Sequence, residues 1–169
     1  MNPGTEASIV ASGGGTTPTA SAAVRMTEYS LGPDGQKRLP GTLPVESAYF
    51  YALEIGADEG TLSLSQPVVH YVENFVGLPV GKAVPAASLE PCDGCGGQRK
   101  EWKATDNGRV GKILTNTGSS VTLDANGDGV AETAGELSTL GISACELTQL
   151  SGYPAGTVLV RNVLPRLGT

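Results

Sequence analysis

Thr61-Leu62-Ser63-Leu64, followed after Ser65-Gln66-Pro67 by Val68-Val69-His70-Tyr71-Val72-Glu73-Asn74-Phe75, holds the densest β signal in the chain. The first four residues alternate polar and apolar with period two. Val68 to Phe75 is rich in the β-branched and aromatic types that pack well on a pleated surface. Moving upstream, Tyr49 to Ile55 reads as an aromatic strand, and Leu39 to Pro44 as a Pro- and Gly-punctuated loop. Met26 to Leu31 is a short alternating strand closed by Gly-Pro-Asp-Gly at 32 to 35. Moving downstream, residues 76 to 108 read as loop, with Trp102 as a buried anchor near their end. Asn107-Gly108 predicts a hairpin between Trp102-Lys103-Ala104 and Arg109 to Leu114. Val121 to Leu123 is a strand entering an acidic loop, and Thr157 to Leu164 is a last strand. Leu137, Leu140, Ile142, Leu147 and Leu150 recur at loosely helical spacing, with Ser143 as the N-cap of one short helix.

With 24 Gly and 11 Pro among 169 residues, the composition favours many turns between short strands. The expected fold is mainly β: a sandwich-like module over residues 25–164 with one short C-terminal helix. Residues 1–24, rich in Gly, Ser, Thr, Ala and Pro, are expected to be a disordered N-terminal tail or linker, and 165–169 a second tail.

The formal charge of −6 weighs against nucleic acid, whose binding draws on clustered Lys and Arg. The longest basic cluster is Gln98-Arg99-Lys100. No stretch approaches the roughly 18 to 20 apolar residues that span a bilayer. Met1 to Ala23 lacks the basic and apolar regions of a signal peptide, so the chain is either cytoplasmic when made alone or an internal piece of something exported.

Asp124-Ala-Asn126-Gly-Asp128-Gly129-Val130-Ala-Glu132 places side-chain oxygens at loop positions one, three, five and nine. Gly129 stands at six for the sharp turn, and the Val130 carbonyl serves position seven. That is the ligand spacing of a calcium loop, in which alternate residues aim hard oxygen donors at one point. Position twelve, where an EF-hand has its bidentate Glu, is Gly135, and Glu136 comes one residue late. The same spacing also serves an ion-free turn, because Asn and Asp side chains bond their own backbone. Calcium held by Asp124, Asn126, Asp128, Val130 and Glu132 is the expectation, with the ion-free turn beside it.

Cys92-Asp-Gly-Cys95 is a local disulfide, a pair of free thiols, or half of a zinc site completed by Cys145 and His70. Its Gly- and Pro-rich surroundings do not suit a thioredoxin-type motif, which opens a helix after a strand. His70, the sole histidine, reads as a strand-surface residue. No nucleophile elbow, P-loop or dinucleotide fingerprint is present, and the sequence names no catalyst.

Several segments in order resemble a region of the large bacterial RHS/YD-repeat proteins. Thr27-Glu28-Tyr29-Ser-Leu-Gly32-Pro33-Asp-Gly35 is similar to that region's TEY-x-x-GP-x-G opening. Leu43-Pro44-Val-Glu-Ser47-Ala-Tyr49-Phe-Tyr51-Ala52-Leu-Glu54 resembles its LP-x-x-S-x-YTYA-x-E strand. Gln66-Pro67-Val68, Tyr71-Val72-Glu73-Asn74-Phe75-Val-Gly77-Leu-Pro79-Val80-Gly81 and Val84-Pro85 resemble its PV-x-x-YV-(D/E)-NFLG-x-PVG-x-x-VP core. Trp102 to Val110, the acidic loop, Leu140-Gly141-Ile142 and Tyr153-Pro154-Ala155-Gly156-Thr157 continue the series. The family's Tyr-Tyr-Asp-Arg stretch is replaced here by Cys92-Asp-Gly-Cys95-Gly-Gly, and its His-Phe-Thr-Pro-Trp continuation by Asn162 to Thr169.

The resemblance implies a structural, non-enzymatic segment upstream of the YD repeats of a secreted or surface-exposed protein, the chain being a fragment whose partner is the rest of its parent polypeptide. An adhesive or partner-binding module is the alternative, resting on an exposed apolar loop from Val76 to Pro85. A hydrolase is the third reading and requires a nucleophile beside His70.

Overall fold

The computed structural model describes residues 5–11, 14–29, 38–39, 41, 51–58, 60–92 and 100–164. The strands run in chain order β1 (Ala7–Val10), β2 (Thr16–Thr19), β3 (Val24–Tyr29), β4 (Ala52–Ala57), β5 (Thr61–Leu64) and β6 (Val68–Glu73). They continue with β7 (Ala83–Val84), β8 (Ala87–Pro91), β9 (Lys100–Ala104), β10 (Gly108–Asn116) and β11 (Val121–Asp124). Helices α1 (Ala134–Thr139) and α2 (Ala144–Gln149), a 3₁₀ turn at Leu150–Gly152 and β12 (Val158–Leu164) complete the order. The protein is mainly β. Its chain groups into two compact units, the first including residues 5–67 and 85–106, the second residues 68–84 and 107–163.

In the first unit, β1 lies between β2 and β5, antiparallel to both. This corrects the expectation of a tail over 1–24. Ser8, Ile9 and Val10 are too few to hold a strand alone, but pairing on both sides satisfies the backbone of β1 and sets Ile9 opposite Leu62. Period-two alternation on β5 buries Leu62 and Leu64 as the sequence indicates. β3 and β4 pair from Val24 opposite Ala57 to Tyr29 opposite Ala52. Two reciprocal bonds lock that register: Tyr29 Oη donates to Glu54 Oε2 at 2.6 Å, and Tyr51 Oη to Glu28 Oε1 at 3.0 Å. The Gly-Pro-Asp-Gly turn and most of the 39–44 loop lie outside the described residues.

The expected loop over 76–108 is a second correction, since it contains β7 and β8, and β9 extends the strand expected at Trp102-Lys103-Ala104. β8 and β9 pair with each other, Leu89 opposite a half-buried Trp102, and Pro91 falls at the strand end where a missing N–H is tolerated. Trp102 is therefore a ladder residue and not a fully buried anchor. The hairpin predicted at Asn107-Gly108 does not form: β9 pairs with β8, and β10 with β7, β11 and β12. Neither Asn107 nor Gly108 has the positive φ that a two-residue primed turn requires. Gly108 answers a different need, because a Cβ there would meet Asn162 Oδ1 and lie 2.8 Å from the Arg161 carbonyl.

In the second unit the sheet order is β11-β10-β12-β6, with β7 joined to the start of β10. Ile113, Val121, Leu123, Ile142, Leu150 and Leu159 form its buried cluster, with Leu137, Leu140, Leu147, Tyr71 and Tyr153 packed against it. The apolar residues read at helical spacing thus do face the core. They are spread over two helices, the link between them and the 3₁₀ turn instead of one helix, because Gly141 takes φ +65° and Ile142 N–H donates back to the Leu137 carbonyl, ending α1. Each helix begins with a capping box, Thr133 with Glu136 and Ser143 with Glu146. Among the described residues this buried cluster draws on the sheet, the two helices and the segment linking them.

Candidate functional site

The acidic loop leaves β11 at Asp124, whose side chain is 3% exposed. Asp124 Oδ1 accepts from Gly127 N–H at 2.7 Å and Oδ2 from Gly129 N–H at 3.0 Å. Asn126 Oδ1 accepts from Asp128 N–H at 2.9 Å, Asp128 Oδ1 from Val130 N–H at 2.7 Å, and Glu132 Oε1 from Ala125 N–H at 3.0 Å. Four side chains thereby satisfy five backbone donors in one turn. Asn126 Nδ2 donates to Asp128 Oδ2 at 3.1 Å and lies 3.5 Å from Glu132 Oε2. Val130, the fifth predicted position, carries a side chain 64% exposed. The structure brings the five positions into one loop, in which the side-chain oxygens accept from the loop's own amides. Among the described residues no group of three His, Cys, Asp or Glu side chains is disposed to hold a metal ion.

Glu136, the carboxylate one residue late for calcium position twelve, caps α1. Thr133 N–H and Oγ1 both donate to Glu136 Oε2, at 2.8 and 2.7 Å. The side-chain bond from Thr133, then its backbone bond, hold the Glu136 pKa below the ordinary value.

The loop is anchored by backbone approach. Gly81 takes φ +81°, and a Cβ there would collide with the Asn126 backbone. Gly127 takes φ +89°, and its Cβ would lie 2.6 Å from the Val80 carbonyl oxygen. Only glycine meets both demands at once. Val80-Gly81 and Asn126-Gly127 therefore pack main chain on main chain. Asn74 brackets the turn before Gly81, accepting from Leu78 N–H at 2.9 Å and donating to the Leu78 carbonyl at 2.7 Å.

Among the described residues, sequence reasoning missed the second of the two buried carboxylates of this unit, Asp124 being the other. Glu146 is 3% exposed. Arg161 donates to it twice, Nε to Oε2 at 2.8 Å and Nη2 to Oε1 at 3.1 Å, and Tyr71 Oη donates to Oε2 at 2.7 Å. The same carboxylate accepts from Ser143 N–H at 3.2 Å as half of the α2 capping box. Burial alone would raise the Glu146 pKa, but the bonds from Arg161 and Tyr71 outweigh it and hold the carboxyl below its usual range. Burial, and then the bond to Glu146, push the Tyr71 phenol well above its ordinary value. The Ser143-x-x-Glu146 spacing was the available signal, since a capping box names the Glu as well as the Ser.

Cys92 is disulfide-bonded and Cys145 is a free thiol. A disulfide sulfur is not a thiolate ligand, so Cys92 as it stands offers zinc nothing. Cys95 lies outside the described residues. His70 is half-buried on β6, and burial lowers its pKa. Phe75 and Val76 are 60% and 44% exposed, and Leu78 is half-buried.

These features define a mainly β protein in which buried carboxylates bond structure together. A scan of family models, a search of curated proteins and a search of solved structures each find no match to the chain. No helix among the described residues is long and apolar enough to cross a membrane.

Proposed function

We propose that the chain is a non-enzymatic structural module of a larger exported polypeptide of the RHS/YD-repeat kind. One observation carries this reading: residues that bear the sequence resemblance meet one another as the joints of the fold. The Thr27-Glu28-Tyr29 segment is tied to Tyr51 and Glu54 by the paired Tyr to Glu bonds. Asn74 braces the turn at Leu78, and Gly81 seats the backbone of Asn126. Side chains engaged in mutual bonding serve architecture; a catalytic constellation would leave a base and a nucleophile facing a cleft. Sequencing the transcript across both ends of this coding segment tests parentage. An in-frame YD-repeat array is expected, and stop codons on both sides with no such array would overturn it.

Calcium in the acidic loop is the second reading, favoured by the position of the Asn126 amide between Asp128 and Glu132. Turning that amide over would present its oxygen, instead of its N–H, to both carboxylates. Calorimetry with calcium and then with chelator separates the readings. A melting temperature that climbs with free calcium supports the ion, and an unchanged curve supports a loop closed by its own bonds.

A further inference from the structure

The β1–β2 hairpin is an arm with a narrow hold on the rest of the first unit. Among the described residues β2 pairs only with β1, and β1 pairs outside the hairpin only with β5, from Ala7 opposite Leu64 to Val10 opposite Thr61. Glu6 extends that ladder: its carbonyl accepts from Ser65 N–H at 2.9 Å, and its N–H donates to Ser65 Oγ at 2.8 Å. A lone two-stranded hairpin is marginal in water, so the arm needs β5 as a third strand. The need runs both ways. Leu62 and Leu64 are buried, and Ile9 and Ala7 stand opposite them on the same face. Gly60 shapes the seat, since a Cβ there would lie 2.7 Å from the Val10 carbonyl oxygen and 3.0 Å from Ile9 Cγ2. Ala20-Ser21-Ala22, small residues outside any strand or helix, lead from the arm back to the unit. The fixed part resumes at Ala23, whose carbonyl accepts from Asp58 N–H at 3.3 Å.

We propose that the hairpin is an exchangeable arm and that β5 accepts it from a second copy of the chain, each copy seating the other's arm. Every copy carries the same arm and the same seat, so exchange preserves each of these contacts and costs only the freedom lost on association. The outer strand limits the assembly to two. Pro18 stands in β2 and has no N–H, which makes the exposed edge of that strand a poor template for a further chain. This goes beyond the structural role and does not depend on it.

Two full-length variants test this, Ser8→Cys and Ser63→Cys, each also carrying Cys145→Ser to remove the free thiol. Ser8 and Ser63 face each other across the ladder, and opposite residues of antiparallel strands lie about 4.5 to 5.5 Å apart, within reach of a disulfide. Neither variant can form an 8–63 disulfide within itself. The two are unfolded together in urea at low pH, which keeps thiols protonated and spares the Cys92 disulfide, then refolded at rising concentration, oxidised and mapped by mass spectrometry. Exchange predicts an 8–63 link between chains that grows with concentration and exceeds the yield of chance collision, gauged by the 8–8 and 63–63 links. Gly60→Ala placed in the Ser63→Cys chain should abolish it. No 8–63 link, a link no more frequent than chance, or one undiminished by Gly60→Ala would overturn the proposal, and the first two outcomes stand even if Gly60→Ala fails to fold.

Discussion

Glu146 joins three elements through one carboxylate: it closes the cap of α2, pairs with Arg161 on β12 and accepts from Tyr71 on β6. Removing one partner of a buried pair leaves the other charge stranded, at a cost of about 3 to 5 kcal/mol. Glu146→Ala is expected in that range by urea denaturation. Tyr71→Phe, which deletes one bond to a charged acceptor, should cost about 1.5 to 3 kcal/mol. The two should fall short of additivity in a double-mutant cycle, because they remove the same contact. The pH dependence follows from the lowered Glu146 pKa. A carboxyl whose folded pKa lies below its unfolded value contributes stability that is complete above the unfolded value, about 4.3, and is lost as pH falls through the folded one. The melting temperature should therefore fall on acidification below about pH 4.3, and Glu146→Gln should flatten that fall. At this scale sequence reading found Ser143 because a cap is a local pattern. It missed what Glu146 does because Tyr71 and Arg161 are distant in sequence and only the sheet brings them near.

Among elements, β5, β6, β11 and β12 were legible because their own residues carry the alternation or the β-branched runs that define a strand. β1 and β8 were not, and β9 was read as a strand but given the wrong partner. The β character of β1 and β8 comes from the partner strand, and Pro and Gly around them read as punctuation. Asn107-Gly108 misled for a related reason: glycine there clears Arg161 and Asn162 instead of turning the chain. The joint between the Val80-Gly81 turn and the acidic loop gives this scale its prediction. Gly77 and Gly81 both have positive φ, at +69° and +81°, but a Cβ at Gly77 meets nothing within 4 Å. Gly77→Ala should cost only the backbone strain, about 1 kcal/mol. Gly81→Ala adds a collision with the Asn126 main chain and should cost about 2 to 4 kcal/mol. Chemical denaturation of the two variants checks the order, and equal losses would mean that the close approach to Asn126 adds nothing to the cost.

For the molecule as a whole, a mainly β class was readable from Gly and Pro abundance and the spread of short strands. Helices packed on the second unit's sheet were not, since periodicity gives an element's buried face and not what it faces. The acidic loop shows the same limit: its spacing was plain, whereas its use depends on where each oxygen finds a donor. Here the donors are the loop's own amides, and we propose that these bonds sustain the loop whether or not it takes up an ion. Asp124 carries the largest share, with both oxygens buried and bonded. The decisive measurement is the unfolding free energy of Asp124→Ala against the wild type, both in excess chelator. Losing two charge-assisted bonds and leaving two amides unsatisfied predicts a loss of about 3 kcal/mol or more. Equal stability of the two proteins in chelator, with a difference appearing only when calcium is added, would contradict it.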